Sequence, residues 1–89
     1  MIVKTIERDY RVYWKHVQTE TATPKAYTQC TICHLDNPQR EDEGFAFCAK
    51  NDQFNKSKGR IVSLTKAIKH LPKDVRKQFW DVYKKEINF

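Results

Sequence analysis

Apolar and polar residues alternate at the start of the chain. Polar or charged residues occupy most odd positions of the first sixteen residues, and apolar residues occupy several even ones. The apolar even positions are Ile2, Ile6, Tyr10, Val12 and Trp14. A period of two is typical of a strand with one buried face, and the aromatic and β-branched residues favour a strand over the helical period that can also be traced here. We therefore predict one strand between residues 2 and 16.

Two shorter apolar segments, at 27–35 and 44–49, follow a polar loop at 19–25. The segments are separated by a stretch with an Asn37-Pro38 pair and four charged residues, which is typical of a turn. The pattern predicts a hairpin with an acidic tip. Apolar side chains fall on both faces of its second strand, so we expect that strand to be central in a sheet and covered on at least one face.

A helical period begins after the hairpin. Its apolar positions are Phe54, Ile61, Leu64, Ile68 and Leu71. Their spacing places them on one side of a helix, which we predict over 53–71 with Asp52 as its N-cap. Replacing Asp52 is expected to cost about 1 kcal/mol of stability. Pro72 ends this helix and can open another, predicted over 73–87, where apolar residues recur every four positions.

These elements predict an α+β fold in a single domain covering residues 1–89. A small antiparallel sheet of about three strands, within residues 2–50, is expected to be covered by the two C-terminal helices. The expected core consists of Ile6, Tyr10, Val12, Trp14, Ile32, Phe45, Phe47, Phe54, Ile61, Leu64, Ile68, Leu71, Phe79 and Tyr83.

Charge divides the chain into two unlike halves. The net charge is +6, but residues 1–49 hold 6 Lys/Arg against 7 Asp/Glu, whereas residues 50–89 hold 11 against 4. This asymmetry indicates an anionic partner, although a basic helix face can also serve solubility alone. The candidate partner-binding residues are Lys56, Lys58, Gly59, Arg60, Lys66 and Lys69.

Gly59 is unusual among these candidates because glycine in an exposed helix costs about 1 kcal/mol relative to alanine. On the predicted helix it points away from the apolar stripe. A partner that approaches the backbone closely would explain it, with Arg60 and Lys56 binding phosphate or carboxylate. The alternative, which we favour, is that Gly59 packs under the N-terminal strand or marks a kink.

The cysteines raise the question of a metal site. Cys30, Cys33, His34 and Cys48 could supply a Cys3His zinc set, but Cys48 has no neighbouring ligand, and a strand would place Cys30 and Cys33 on opposite faces. Buried cysteines that behave as small hydrophobic residues are the simpler interpretation. A c-type haem is rejected because the start of the chain lacks an export signal. No cofactor is therefore expected, with zinc kept as the alternative.

No catalytic constellation is visible in the sequence. Cys33 and His34 are adjacent in a predicted strand, which drives their side chains apart, and the acidic residues 41–43 fall in a solvated turn. We expect a protein that is not an enzyme. With no apolar run of membrane-spanning length and an odd number of cysteines, it is expected to act in the cytoplasm.

Three motifs follow one another in the middle of the chain. The motifs are Gly44-Phe45-Ala46-Phe47-Cys48, Asp52-Gln53-Phe54-Asn55-Lys56, and Lys58-Gly59-Arg60 with Lys66-Ala67. Their order and spacing resemble small proteins encoded by bacteriophages and prophages, in which a Gly-x-Ala-x-Cys strand leads through Asp-x-Phe into a helix with Gly-Arg. The resemblance covers about a quarter of the chain. It implies a phage or prophage origin, the fold, and a place for Cys48 in the strand core.

The leading hypothesis is a small basic phage accessory protein in the bacterial host, which docks nucleic acid or an acidic protein surface on its first helix. One alternative is an inhibitor of a host protein, anchored by an aromatic side chain such as Tyr13, Trp80 or Tyr83. Others are an oligomer that captures a nucleotide with Arg60 and Lys56, and a zinc-stabilised module.

Overall fold

A four-stranded antiparallel sheet is covered on one face by two C-terminal helices. The computed structural model describes residues 1–18, 26–48 and 55–87. The strands are β1 (Ile2–Lys4), β2 (Asp9–Gln18), β3 (Ala26–His34) and β4 (Glu41–Cys48), and the helices are α1 (Lys56–Ile68) and α2 (Lys73–Ile87). Neighbours in the chain are neighbours in the sheet, in the order β1-β2-β3-β4. The predicted α+β class is confirmed, with one strand more than expected.

The additional strand arises because the first predicted strand is interrupted. Residues 5–8 form a turn in which the Thr5 hydroxyl donates to the Arg8 carbonyl at 2.7 Å and accepts from the amides of Glu7 and Arg8 at 3.2 Å. A threonine side chain that satisfies turn backbone groups competes with the ladder of a continuous strand. The prediction of one strand over 2–16 was therefore wrong, and Ile6 is 76% exposed at the turn instead of in the core.

The alternation predicted from Tyr10 onwards is present in β2. Tyr10 and Val12 are buried on the face that meets the helices, and Trp14 is half-buried there. In β3 the same face carries Cys30 and Ile32, both almost wholly buried. We call this side of the sheet the inner face and the side away from the helices the outer face.

Strand β4 is an edge strand, so the prediction of a central position was wrong. It also begins at Glu41, which places the acidic residues 41–43 in a strand instead of a turn. Its outward residue Phe47 is 61% exposed and Phe45 is half-buried, although both were expected in the core. Its inward positions are the small residues Gly44 and Ala46, because helix α1 lies directly above them.

Helix α1 is shorter than predicted and starts at a different cap. Its N-cap is Asn55, whose side-chain oxygen accepts from the Lys58 amide at 3.1 Å, so Asp52 does not cap it. Asp52 and Phe54 lie outside the described residues. The helix ends at Ile68, three residues before the predicted end, whereas α2 has the bounds predicted for it.

The buried side of α1 is turned away from the predicted apolar stripe. Ile61 is 46% exposed and Leu71 is only partly buried, although both were expected in the core. The inward positions include Gly59, Ser63 and Ala67, which recur every four residues and form a line of small side chains. Leu64 and Ile68 complete the buried face and pack with Val3, Val12, Val75, Phe79 and Tyr83.

Both glycines of the chain lie where α1 approaches the sheet. A Cβ on Gly44 would overlap the Ser63 carbonyl oxygen and lie 3.1 Å from the Ala67 Cα. A Cβ on Gly59 would overlap the Thr28 hydroxyl and lie 3.0 Å from the Thr28 Cβ. Gly59 is therefore buried against β3, which explains it without a ligand. Its predicted exposure was wrong, and it packs under β3, not under the N-terminal strand.

Replacing Gly44 is expected to destabilise the fold more than replacing Gly59. In Gly44→Ala the new methyl group meets backbone atoms of α1, which cannot move independently, so we expect a loss of about 2 kcal/mol or more. In Gly59→Ala the overlap is with one side chain, and alanine's better helix propensity offsets about 1 kcal/mol. Urea unfolding followed by circular dichroism measures both. Equal losses would contradict the close backbone approach at Gly44.

Candidate anion-binding surface

The positive charge of the protein is concentrated in the helical layer. Residues 55–87 hold ten Lys/Arg against three Asp/Glu, a net charge of 10 − 3 = +7, which exceeds the +6 of the whole chain. Helix α1 has no acidic residue in its first turn. Residues 1–18 and 26–48 hold five Lys/Arg against six Asp/Glu, so the described part of the sheet layer is close to neutral and the helical side of the molecule is the basic one.

The exposed lysines of α1 and its C-cap project in two directions. Lys58 and Lys69 share one exposed stripe of the helix, since residues 58, 62, 65 and 69 follow the helical period. The two are eleven residues apart, which corresponds to about 16 Å along a helix axis. Lys66 points towards the edge of β4, where its ammonium lies 5.9 Å from the ring centre of Phe47.

Lys56 and Arg60 lie in a different place, at the end of the sheet beside His16. Burial is the largest cause of a lowered His16 pKa, and the charges of Arg60 and Lys56 lower that pKa further. The imidazole Nδ1 lies 2.8 Å from the Thr28 hydroxyl. The backbone of Arg60 is fixed by its carbonyl, which accepts from the Trp14 indole at 3.3 Å. We call His16, Lys56 and Arg60 the basic corner.

The structure thus groups the predicted residues differently from the sequence. Lys58 and Lys69 share the exposed stripe, Lys66 points towards the edge of β4, and Lys56 and Arg60 belong to the basic corner. Gly59 is buried and contributes no surface. The predicted residues are close together in sequence, but their side chains point in three directions.

These cations have few neutralising partners in the protein. Among residues 1–18, 26–48 and 55–87, the ion pair that forms is between His70 Nε2 and Asp42 Oδ2, at 3.0 Å. Within that part of the chain, the lysines and arginines of the helices make no ion pair with a carboxylate. Their charge is therefore available to an external anion.

The four residues of the alternative zinc site do not come together. Cys30 and Cys33 project from opposite faces of β3, and His34 is within 2.9 Å of an Arg8 guanidinium nitrogen. Within the described residues, no group of three or more potential ligands could hold a metal ion. Burial raises the Cys30 thiol pKa to about 12, which is typical of a core cysteine.

The aromatic residues proposed as anchors also differ in their surroundings. Tyr83 is buried and belongs to the core, so it cannot anchor a partner. Tyr13 is 48% exposed on the outer face of the sheet, and Trp80 is half-buried at the surface of α2. Lys84, on the same helix, was not among the predicted partner-binding residues. It follows Trp80 by four residues and Lys77 by seven, and this helical spacing, which places the three on one side of α2, could have identified it.

The chain matched no protein-family model, no curated protein and no solved structure. Neither described helix is long and apolar enough to span a membrane.

The His16 pKa is expected to report on the basic corner. In the folded protein it should lie below 6.5, so the stability linked to neutral His16 is complete above pH 6.5 and is lost as the pH falls through the lower folded pKa. Arg60→Gln should raise the His16 pKa, whereas Lys58→Gln, on the exposed stripe, should leave it unchanged. An NMR pH titration of the imidazole measures this. A pKa unaffected by Arg60→Gln would show that the two groups are not electrostatically coupled.

Cys30 is expected to resist thiol reagents in the folded protein. Its thiolate is scarcely populated at neutral pH and its side chain is inaccessible, so alkylation at pH 8 should leave Cys30 unmodified until urea unfolds the chain. Mass spectrometry of the digested protein identifies the labelled cysteine. Rapid native labelling of Cys30 would contradict its placement in the core.

Proposed function

We propose that this protein is a non-enzymatic nucleic-acid-binding module, and that it docks the phosphate backbone on the basic surface of its helical layer. The observation that carries the proposal is the excess of ten Lys/Arg over three Asp/Glu in residues 55–87, without ion pairs to carboxylates in the described part of the chain. A polyanion relieves the repulsion among these charges and releases its own counterions on binding.

The spacing of the surface suits an extended polyanion better than a single small anion. Lys58 and Lys69 are separated by about 16 Å along the helix, a length that corresponds to roughly five phosphates of one nucleic-acid strand. Lys66 lies between them in sequence and points to the β4 side, while the basic corner extends the surface beyond the helix start. Contacts with the backbone position a nucleic acid without reading its sequence.

The wider biological setting proposed here is an accessory protein of a bacteriophage or prophage that acts in the cytoplasm of its bacterial host. The resemblance of the motif between Gly44 and Ala67 to small phage-encoded proteins is what supports this setting. The absence of a recognisable catalytic arrangement in the sequence is consistent with a role in binding.

Charge reversal on the helical layer is expected to weaken nucleic-acid binding. Lys66→Glu with Lys69→Glu should lower affinity for a DNA duplex about tenfold or more, and should reduce the slope of log K against log salt by about 2, since each lost phosphate contact reduces the slope by about 1. Fluorescence anisotropy of a labelled duplex, measured over a range of salt concentrations, gives both quantities.

The matched control is Lys4→Glu with Lys15→Glu. It changes the net charge by the same amount, but both lysines are exposed on the outer face of the sheet. Its affinity should stay close to that of the wild type. An equal loss in the two double variants would mean that binding follows total charge and not the helical surface. Affinity that does not change with salt would exclude a phosphate-docking function, and binding to polyglutamate but not DNA would indicate an acidic protein partner.

A further inference from the structure

An open groove runs along the surface of α2 and reaches α1. Its volume is about 760 Å³, and its walls are mainly apolar, with contributions from Ile61 of α1 and from Trp80 and Tyr83 of α2. Ile61 was predicted to be buried but is 46% exposed because α1 turns its small residues towards the sheet. The size lies within the range of small-molecule sites, about 300 to 1,000 Å³.

The rim of this groove is strongly basic. Lys73, Arg76, Lys77 and Lys84 line it together with one carboxylate, that of Asp81. The Nε atom of Arg76 is buried and has no hydrogen-bond partner in the described structure. Arg76 lines the groove, so its positive charge adds to that of the three lysines.

The indole of Trp80 lines the groove and is half-buried, because part of it packs against the core. Its ring centre is 5.6 Å from that of Tyr83, and the two planes meet at 83°. In this edge-to-face arrangement at least one face of the indole is left uncovered by Tyr83, whichever ring presents its edge. Such a face can stack with another planar aromatic group.

We propose that the groove binds an unpaired base of a single-stranded nucleic acid, stacked on Trp80, while Lys73, Lys77 and Lys84 hold the neighbouring phosphates. The inference rests on the proposed function and makes the substrate class more specific. A purely apolar ligand would not need the four cations, and a phosphate ion would not use the apolar walls. A base in a duplex is already stacked between its neighbours, so only an unpaired base can enter.

The groove reaches Ile61 of α1, the helix that carries the basic surface already described. Lys69, the C-cap of α1, and Lys73, at the start of α2, are separated by a short bend at Pro72. A single strand could therefore contact the lysines of α1 through its phosphates and the groove through a base. The outer face of the sheet carries aromatic side chains too, including Tyr13, and Lys66 lies near its edge residue Phe47, but the four cations of the groove belong to α2 on the other side of the sheet.

The test compares single strand with duplex in matched aromatic variants. The probes are labelled oligothymidylate of about 15 nucleotides, within the usual site sizes for single-strand binding, and a duplex of equal length. Trp80→Ala should weaken single-strand binding about 5- to 100-fold and change duplex binding less than about twofold. Tyr13→Ala, which removes an aromatic ring from the opposite face, should leave both affinities unchanged.

A conservative variant and a spectroscopic signal separate stacking from folding. Trp80→Phe keeps an aromatic face and should retain single-strand affinity within about threefold of the wild type. Tryptophan emission should be quenched by the single strand in the wild type and much less in Trp80→Phe, where Trp14 alone emits. Circular dichroism melting curves verify that each variant is folded.

Several outcomes would overturn the groove proposal. One is that Trp80→Ala weakens binding to single strand and to duplex equally, and another is that it weakens binding to neither. A third is that Tyr13→Ala lowers single-strand affinity more than Trp80→Ala does. If Trp80→Ala lost binding only to polyglutamate, the groove would belong to an acidic protein. If the α1 charge reversal also had no effect on any nucleic acid, the proposed function itself would fail, whereas a charge effect without a Trp80 effect would overturn the groove alone.

Discussion

The close approach of the α1 backbone to strands β3 and β4 is the constraint on which the rest of the structure depends. Gly44 leaves room for the backbone at Ser63 and Ala67, and Gly59 leaves room for Thr28. Because interiors are packed to high density, a helix at this distance cannot rotate freely about its axis. Its small residues must face the sheet, and this orientation directs Lys58 and Lys69 to solvent and leaves Ile61 exposed.

The orientation of α1 also determines how charge is distributed over the molecule. The sheet provides Tyr10, Val12 and Ile32 to the shared core, and α2 provides Val75 and Phe79. Basic residues cannot enter this core without a large desolvation cost, so the cations of both helices lie on the solvent-exposed surface of the helical layer. That layer has few carboxylates, and it also contains the groove beside Trp80. Charge and an aromatic surface therefore occur on the same side of the protein.

Part of the fold could be predicted because some of its signals are local. The α2 bounds follow from Pro72 and a regular four-residue period, and the alternation of Tyr10, Val12 and Trp14 follows from the pleat of β2. The errors arose where local patterns were ambiguous. The turn at residues 5–8 is stabilised by the Thr5 hydroxyl and contains no glycine, which would have been a clear turn signal in the sequence. The N-cap of α1 is Asn55, whereas Asp52 was predicted, and asparagine and aspartate both favour that position. Phe47 was assigned to the core because both faces of β4 carry apolar residues, and a period of two does not show which face the helices cover.

The sequence by itself determined the α+β class, the order of most elements, the basic character of the last forty residues and the approximate identity of the exposed lysines. These properties depend on local periodicity and on composition, which can be read along one chain. Only the tertiary structure decided that Gly59 is a packing residue, that Lys56 and Arg60 lie beside His16, and that Trp80 shares a groove with Ile61. Each of these relations joins residues of different elements, and their proximity depends on how closely and at what rotation a helix packs on its neighbours.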